Sequence, residues 1–186
     1  MSLVKLDNKI KNVNTTECIK KNIKHHITYG KGETSTTVIL PFIFIKYIIR
    51  SVYLDDHDVY EREKYIASIL AQFDWFPPLL YSDDKQKILI YKNVGTVLTQ
   101  TNSPSNLKQQ FNTILNDLKS VNIQHNDIKI GELLINSNQK IFLCDFGWGS
   151  VNNNLDCGIG IWACDKINKP GGYYNDEDTL KRLQLV

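Results

Sequence analysis

The sequence has little net charge and lacks a long apolar run, and each shortage excludes a class of function. A net charge of +2 over 186 residues does not favour binding to nucleic acid or to a membrane surface through bulk electrostatics. The longest apolar run, residues 38–45, contains Pro41 and stops at Lys46. It is far shorter than the ~20 residues needed to cross a bilayer. We therefore expect neither a nucleic-acid partner nor a membrane span.

Cysteine and histidine are too few and too scattered to build a disulfide scaffold or a zinc site. The four cysteines lack C-x-x-C spacing, and the four histidines do not group with them at zinc-ligand spacing. Cys144 lies inside an apolar run and is interpreted as a buried thiol. Residues 1–5 lack the apolar core of a signal peptide. A reduced intracellular location, in the cytoplasm, is the expectation.

Residue patterns along the chain predict one α+β domain over residues 1–186. β-branched and aromatic residues predict strands early in the chain. Two later segments carry apolar residues at helical spacing, and two pairs of short apolar runs flank polar turns, which is typical of hairpins. The predicted order is strands (27–49), helix (58–73), hairpin (79–91), helix (107–120), hairpin (133–144) and a short helix (176–183). Neither an internal repeat nor a long linker interrupts this α+β layout.

Two segments supply the residue types that phosphoryl transfer requires. His125-Asn126-Asp127-Ile128-Lys129 precedes Asp145-Phe146-Gly147, and the predicted hairpin separates them. Phosphoryl transfer depends mainly on positioning and charge neutralisation. One carboxylate orients the acceptor hydroxyl, a lysine steadies the γ-phosphate, and a second carboxylate holds Mg²⁺, because hard cations prefer oxygen ligands. Aspartates in turns at strand ends are the alternative for either segment alone.

The two segments resemble the catalytic loop and the metal-binding triplet of protein kinases. The resemblance implies that Asp127 is the catalytic aspartate, that Lys129 contacts the γ-phosphate and that Asp145 binds metal. It also implies a protein-kinase-like two-lobed fold with a minimal C-terminal lobe. The N-terminal lobe would cover about residues 1–92, and the reduced C-terminal lobe about residues 96–186. ATP with Mg²⁺ or Mn²⁺ is the implied cofactor set, and a protein or small-molecule hydroxyl is the implied acceptor.

Lys46 occupies the position of the ATP-binding lysine of kinases, at the end of an apolar strand over residues 42–45. A solvated edge lysine is the alternative. Glu63 falls on the apolar stripe of the first predicted helix, whereas Glu61 falls on a more polar face. A glutamate on a buried helix face is costly unless it is paired. We therefore favour Glu63 over Glu61 as the partner of Lys46, in the manner of the kinase ion pair.

The glycine segment resembles the phosphate-binding loop of kinases only in its first half. Gly30 and Gly32 match the family pattern, but Ser35 occupies the position of the third glycine. Backbone N–H groups of this segment would cradle phosphate, with Val38 beside the nucleotide. An ordinary strand turn is equally compatible with these residues.

Two further predictions concern the segment at residues 90–95 and the short stretch before Lys46. Residues 90–95 resemble the hinge between kinase lobes, where Tyr91 and its neighbours would bind the adenine edge through backbone groups. Only eight residues take the chain from Val38 to Lys46. This spacing forces a tight hairpin at Pro41.

The sequence departs from the kinase pattern beside the catalytic aspartate. Glu132 stands where kinases have the asparagine that binds a second metal ion, and it adds a negative charge to an oxygen-ligand position. Asn126 replaces the arginine that pairs with a phosphorylated activation loop, so we do not expect regulation by such phosphorylation. Asp176 or Asp178 matches the aspartate that braces the catalytic loop. A plain acidic helix start is the alternative for both.

These departures leave three functions open. Lys129 favours a serine/threonine protein kinase. The 39 residues after Gly147 leave little room for the usual C-terminal helices, which instead suggests a small-molecule or sugar kinase of the same fold. Glu132 and the incomplete glycine segment suggest a pseudokinase or a nucleotide-binding interaction module. The compact form resembles kinase-like domains of large DNA viruses, which would imply host cytoplasm or virion. The acceptor and the oligomeric state are not predicted.

Overall fold

The computed structural model describes residues 28–31, 35–39, 43–48, 59–152 and 176, with side chains described from residue 59 onward. Within these residues the strands are β1 (Thr28–Lys31), β2 (Ser35–Ile39), β3 (Ile43–Ile48), β4 (Leu79–Asp83), β5 (Ile88–Lys92), β6 (Thr96–Val97), β7 (Ile123–Gln124), β8 (Leu133–Ile135), β9 (Ile141–Leu143) and β10 (Ser150–Val151). The helices are α1 (Val59–Leu70), α2 (Leu107–Ser120) and a 3₁₀ turn (Ile130–Glu132). Helices and antiparallel sheets together confirm the α+β class. The two-lobed arrangement stays a prediction.

The first five strands form one antiparallel sheet in the order β1-β2-β3-β5-β4. Lys46 lies inside β3, opposite Thr37 on one side and Leu89 on the other. The prediction that the strand ends at Lys46 was therefore wrong. Tyr47 continues the ladder by pairing with Ile88, because the neighbouring strand extends past the lysine.

Strands β1, β2 and β3 pair in antiparallel fashion on either side of the glycine segment and of the connection at Pro41. Gly30 pairs with Thr37 across β1 and β2, and Val38 pairs with Tyr29. Ile39 of β2 faces Phe44 of β3, so the connection between these strands is short. Gly32 and Pro41 lie outside the described residues.

Helix α1 buries one face, and it is shorter than predicted. Its buried residues are Val59, Tyr60, Glu63, Ile66, Ala67 and Leu70. The periodicity predicted a helix to Phe73, but the Phe73 N–H donates to the Leu70 carbonyl in a tighter turn after the helix ends. The following prolines cannot continue a helix, so the chain turns toward β4.

Both later hairpins and helix α2 match their predictions. Side-chain oxygens organise the two hairpin turns: Asp83 accepts hydrogen bonds from the backbone of Lys85 and Gln86, and Asn136 accepts them from Asn138 and Lys140. Helix α2 buries Leu107, Phe111, Ile114 and Leu118. These residues are spaced as one apolar helix face.

One apolar cluster joins the two helices, β5 and the β8–β9 hairpin. The Trp75 indole N–H donates to Asp117 Oδ2 at 2.8 Å, which attaches the segment after α1 to helix α2. Gly95 packs against β8 so closely that a Cβ atom there would lie 2.1 Å from the Ile135 carbonyl oxygen. In the described part of the chain, neither helix has the length and apolar character needed to cross a membrane.

Candidate active site

The loop between β7 and β8 brings Asp127, Lys129 and Glu132 together. Lys129 Nζ lies 2.6 Å from Asp127 Oδ2 and 3.3 Å from Glu132 Oε1. The 3₁₀ turn that ends at Glu132 allows the second contact, because it returns the chain toward Lys129. Lys129 therefore bridges two carboxylates, and its side chain stays about half exposed at 53%.

Burial and neighbouring charges together shift the pKa values of Glu132 and Lys129. Burial raises the pKa of Glu132 to about 7, and the charge of Asp145 adds to this rise while Lys129 opposes it. Burial lowers the pKa of Lys129, but its hydrogen bond to Asp127 and the charges of Asp127 and Glu132 outweigh burial and raise that pKa above its ordinary value. Asp145 is thus close enough to Glu132 for the two carboxylates to repel each other.

Asp145 follows β9 in a left-handed backbone conformation, with φ of 65°. Its Oδ1 accepts a hydrogen bond from the Gly147 N–H at 3.3 Å. The Cys144 N–H donates to the Glu132 carbonyl at 2.9 Å, so the backbones that carry the two predicted metal ligands are joined. The structure therefore brings together the segments that carry Asp145 and Glu132.

The chemistry of these two side chains fits Mg²⁺ or Mn²⁺. Both offer carboxylate oxygens, which hard divalent cations prefer. Among the described residues, no three histidine, cysteine, aspartate or glutamate side chains form a cage that would hold a metal ion. A pair of carboxylates suits Mg²⁺ in nucleotide sites, where phosphate oxygens and water complete the coordination.

Asp176 braces the loop after β7, although it lies about fifty residues further along the chain. Its carboxylate accepts hydrogen bonds from the backbone N–H groups of His125 at 2.7 Å and Asn126 at 2.9 Å. The interpretation of Asp176 as a loop brace is confirmed by these contacts, while Asp178 lies outside the described residues. The His125 ring lies 2.9 Å from the Cys144 carbonyl and packs on Phe146 at 4.6 Å between ring centroids. The loop that carries Asp127 and the turn that carries Asp145 are therefore in direct contact with each other.

Asn126 has a structural role that the sequence analysis missed. Its side-chain amide donates to the Trp148 carbonyl and to Ser150 Oγ, both at 3.0 Å, and the residue is buried. Its φ of 67° is a conformation that asparagine tolerates better than most residues. That preference was the only available signal, because the bonded partners lie more than twenty residues away.

Glu63 and Glu61 lie in opposite environments, as the helical pattern predicts. Glu63 is 2% exposed, and the Tyr91 hydroxyl donates to its Oε1 at 3.3 Å. Burial, followed by the charge of Glu63, raises the pKa of Tyr91 well above its ordinary value. Glu61 is exposed and pairs with Lys87 at 3.1 Å. The Lys46 side chain lies outside the described part, so the Lys46–Glu63 pair stays a prediction.

The predicted nucleotide-binding residues are described only in part. Gly30 and Val38 lie on adjacent strands through backbone pairing, and Gly32 lies outside the described residues. Tyr91 is a buried residue of β5, and its side chain points toward Glu63. Contact of these residues with a nucleotide stays a prediction.

Comparison with known proteins gives partial support for a kinase relationship. No family model matches the sequence. The mitogen-activated protein kinase homolog 1 of Petunia hybrida is 32% identical over 98 residues, which cover 48% of this chain and 26% of that protein. The match thus spans about a quarter of the length of the plant kinase. This partial similarity indicates a protein-kinase-like relationship for about half of the chain.

Proposed function

We propose that this protein is an ATP- and Mg²⁺-dependent phosphotransferase with a hydroxyl acceptor, of the serine/threonine protein kinase type. The observation that carries the proposal is the grouping of Asp127, Lys129, Glu132 and Asp145, with the loop braced by Asp176. Four charged groups in one site are expensive to assemble unless they act on a charged ligand. The partial similarity to a plant protein kinase supports the same assignment.

Each residue has a distinct part in the proposed reaction. Asp127 accepts a hydrogen bond from the acceptor hydroxyl and aims its oxygen at the γ-phosphate. Lys129, already bound to Asp127, is half exposed and offers its remaining protons to the transferred phosphoryl group. Asp145 and Glu132 would hold Mg²⁺ or Mn²⁺, which supplies charge neutralisation at the β- and γ-phosphates when bound. Lys46, Glu63, Gly30, Gly32, Val38 and the backbone near Tyr91 are the proposed nucleotide contacts.

A nucleotide-binding module without transferase activity is the second candidate. The contact between Lys129 and Glu132 favours it, because a lysine shared between two carboxylates is less available to a phosphate. An enzyme must release part of this contact when it binds ATP, whereas a binding module need not. A small-molecule kinase of the same fold differs from the first proposal only in the acceptor.

The test is transfer of labelled γ-phosphate, or ATP hydrolysis, with Mg²⁺ and then Mn²⁺. Asp127→Asn keeps the shape of the side chain and removes its charge, so the rate should fall ~10²–10⁴-fold while nucleotide binding survives. Asp145→Asn should weaken metal–nucleotide binding as well as turnover. Asp74→Asn is the matched control, since Asp74 is an exposed aspartate paired with Lys140.

Three outcomes decide between the candidates. A wild-type rate that falls in Asp127→Asn and not in Asp74→Asn supports the enzyme. Nucleotide binding without turnover in the wild type supports the binding module. A wild-type rate that Asp127→Asn leaves unchanged contradicts the catalytic assignment.

A further inference from the structure

Helix α1 contacts the turn that carries Asp145 at two points. Arg62 Nη2 donates to the Gly147 carbonyl at 2.5 Å, across 85 residues of sequence. One helical turn later, the Ile66 side chain packs on Gly149, where an added Cβ would lie 2.7 Å from Ile66 Cδ1. Arg62 and Ile66 are four residues apart, so they project from the same side of the helix.

Two hydrogen bonds within the Asp145 turn are donated by its glycines. The Gly147 N–H donates to Asp145 Oδ1 at 3.3 Å, and the Gly149 N–H donates to the Phe146 carbonyl at 2.9 Å. Gly147 is therefore held at its carbonyl by Arg62 while its N–H holds the Asp145 carboxylate. A shift of Gly147 therefore displaces a group that is hydrogen-bonded to the Asp145 carboxylate.

We infer that Arg62 is a positioning residue for Asp145, acting through its hydrogen bond to the Gly147 carbonyl. The inference rests on the proposed role of Asp145 as a metal ligand. Glu63, the next residue, contacts Tyr91 on β5, so adjacent positions of one helix reach the sheet and the metal-binding turn. The charged guanidinium makes a stronger bond to a carbonyl than a neutral donor does. Arg62 acts through Gly147 and has no contact with the reacting groups in this assignment.

The test compares Arg62→Ala, Arg62→Lys and Glu61→Gln in the full chain. Mn²⁺ binding is measured by electron paramagnetic resonance with a non-hydrolysable ATP analogue. Arg62→Ala should weaken Mn²⁺ binding roughly 10- to 100-fold, because a charged hydrogen bond is lost. Arg62→Lys restores a charged donor and should recover part of the affinity. Glu61→Gln removes a surface ion pair of the same helix and should leave the affinity unchanged.

Amide hydrogen exchange separates positioning from general stability. In Arg62→Ala, exchange should increase over residues 145–150 and stay unchanged in α2. Equal Mn²⁺ affinity in wild type and Arg62→Ala would overturn the inference, and so would a uniform rise in exchange across the chain. A wild type that binds no Mn²⁺ with nucleotide contradicts the proposed function instead. The exchange experiment then still shows whether Arg62 holds the turn.

Discussion

Glu132 is a largely buried carboxylate between a lysine and a second carboxylate, and this setting makes stability depend on pH. Its pKa is about 7 in the folded protein against an ordinary value of 4.5, so the folded state binds the proton more tightly than the unfolded state does. The contribution of this proton to stability is complete below about pH 4.5. It is lost as the pH rises through 7.

We therefore expect Glu132→Gln to stabilise the metal-free protein at pH 8 by about 1–3 kcal/mol more than at pH 5. Glutamine is neutral at both pH values, so the variant does not bury a charge beside Asp145 at pH 8, as glutamate does. Urea unfolding in the presence of EDTA at the two pH values measures the difference. A gain that is the same at pH 5 and pH 8 would show that Glu132 keeps an ordinary pKa.

Position 95 requires glycine because of a close backbone contact and not because of a positive φ angle. Gly95→Ala brings a methyl group against the Ile135 carbonyl, which must move. We expect a loss of about 1–3 kcal/mol in the free energy of unfolding, the range of an overpacked site. Gly131→Ala is the control, because nothing lies within 4 Å of an added Cβ there. Equal stability of the two variants would contradict the close packing.

At the scale of elements, the loop after β7 is held by a residue distant in sequence. Asp176→Ala leaves the backbone N–H groups of His125 and Asn126 without this acceptor. An unsatisfied buried donor costs about 1–3 kcal/mol, so amide exchange at these two positions should accelerate and phosphoryl transfer should fall. Asp176→Asn retains an acceptor oxygen and should lie between Asp176→Ala and wild type. If amide exchange at His125 and Asn126 is unchanged in Asp176→Ala, Asp176 does not hold the loop.

Elements whose pattern is local were predictable from the sequence, and those that depend on partners were not. Helix α2 matches its prediction because an unbroken apolar stripe sets both of its ends. Helix α1 ends early because the tighter turn at Phe73 serves the packing of Trp75 and Phe76, which the helical period does not encode. Strand β3 passes Lys46 because its neighbours on both sides supply a ladder. Pairing across a sheet depends on those neighbours, and a single strand does not reveal them.

The residues of the candidate site divide in the same way, into those that local sequence predicts and those that depend on distant partners. Asp127, Lys129 and Asp145 carry a recognisable order of residue types, and the structure groups them with Glu132. The roles of Arg62 and Asn126 have no local pattern, since each donates to a backbone carbonyl, and any residue type supplies a carbonyl. Contacts to carbonyls far along the chain become visible only in the folded structure.

For the whole molecule, ligand binding should appear as added stability. A ligand that binds only the folded state stabilises it by about 2.7 kcal/mol at a concentration 100 times its Kd. We expect ATP with Mg²⁺ to raise the Tm more than ATP with EDTA, and Asp145→Asn to abolish this difference. Thermal unfolding under the two conditions measures it. A metal-dependent shift that persists in Asp145→Asn would place the metal elsewhere.

The brace at Asp176 also orders events during synthesis. A ribosome adds roughly 5–20 residues per second, so the loop at His125 emerges roughly 3–10 s before the aspartate that holds it. Among the described residues, the last buried member of the apolar cluster is Phe146, so a nascent chain can begin to collapse around this cluster while the loop at His125 still lacks the Asp176 carboxylate. Nascent chains in which residue 176 has left the ribosome should therefore protect the His125 amide, and chains in which it has not should leave that amide unprotected.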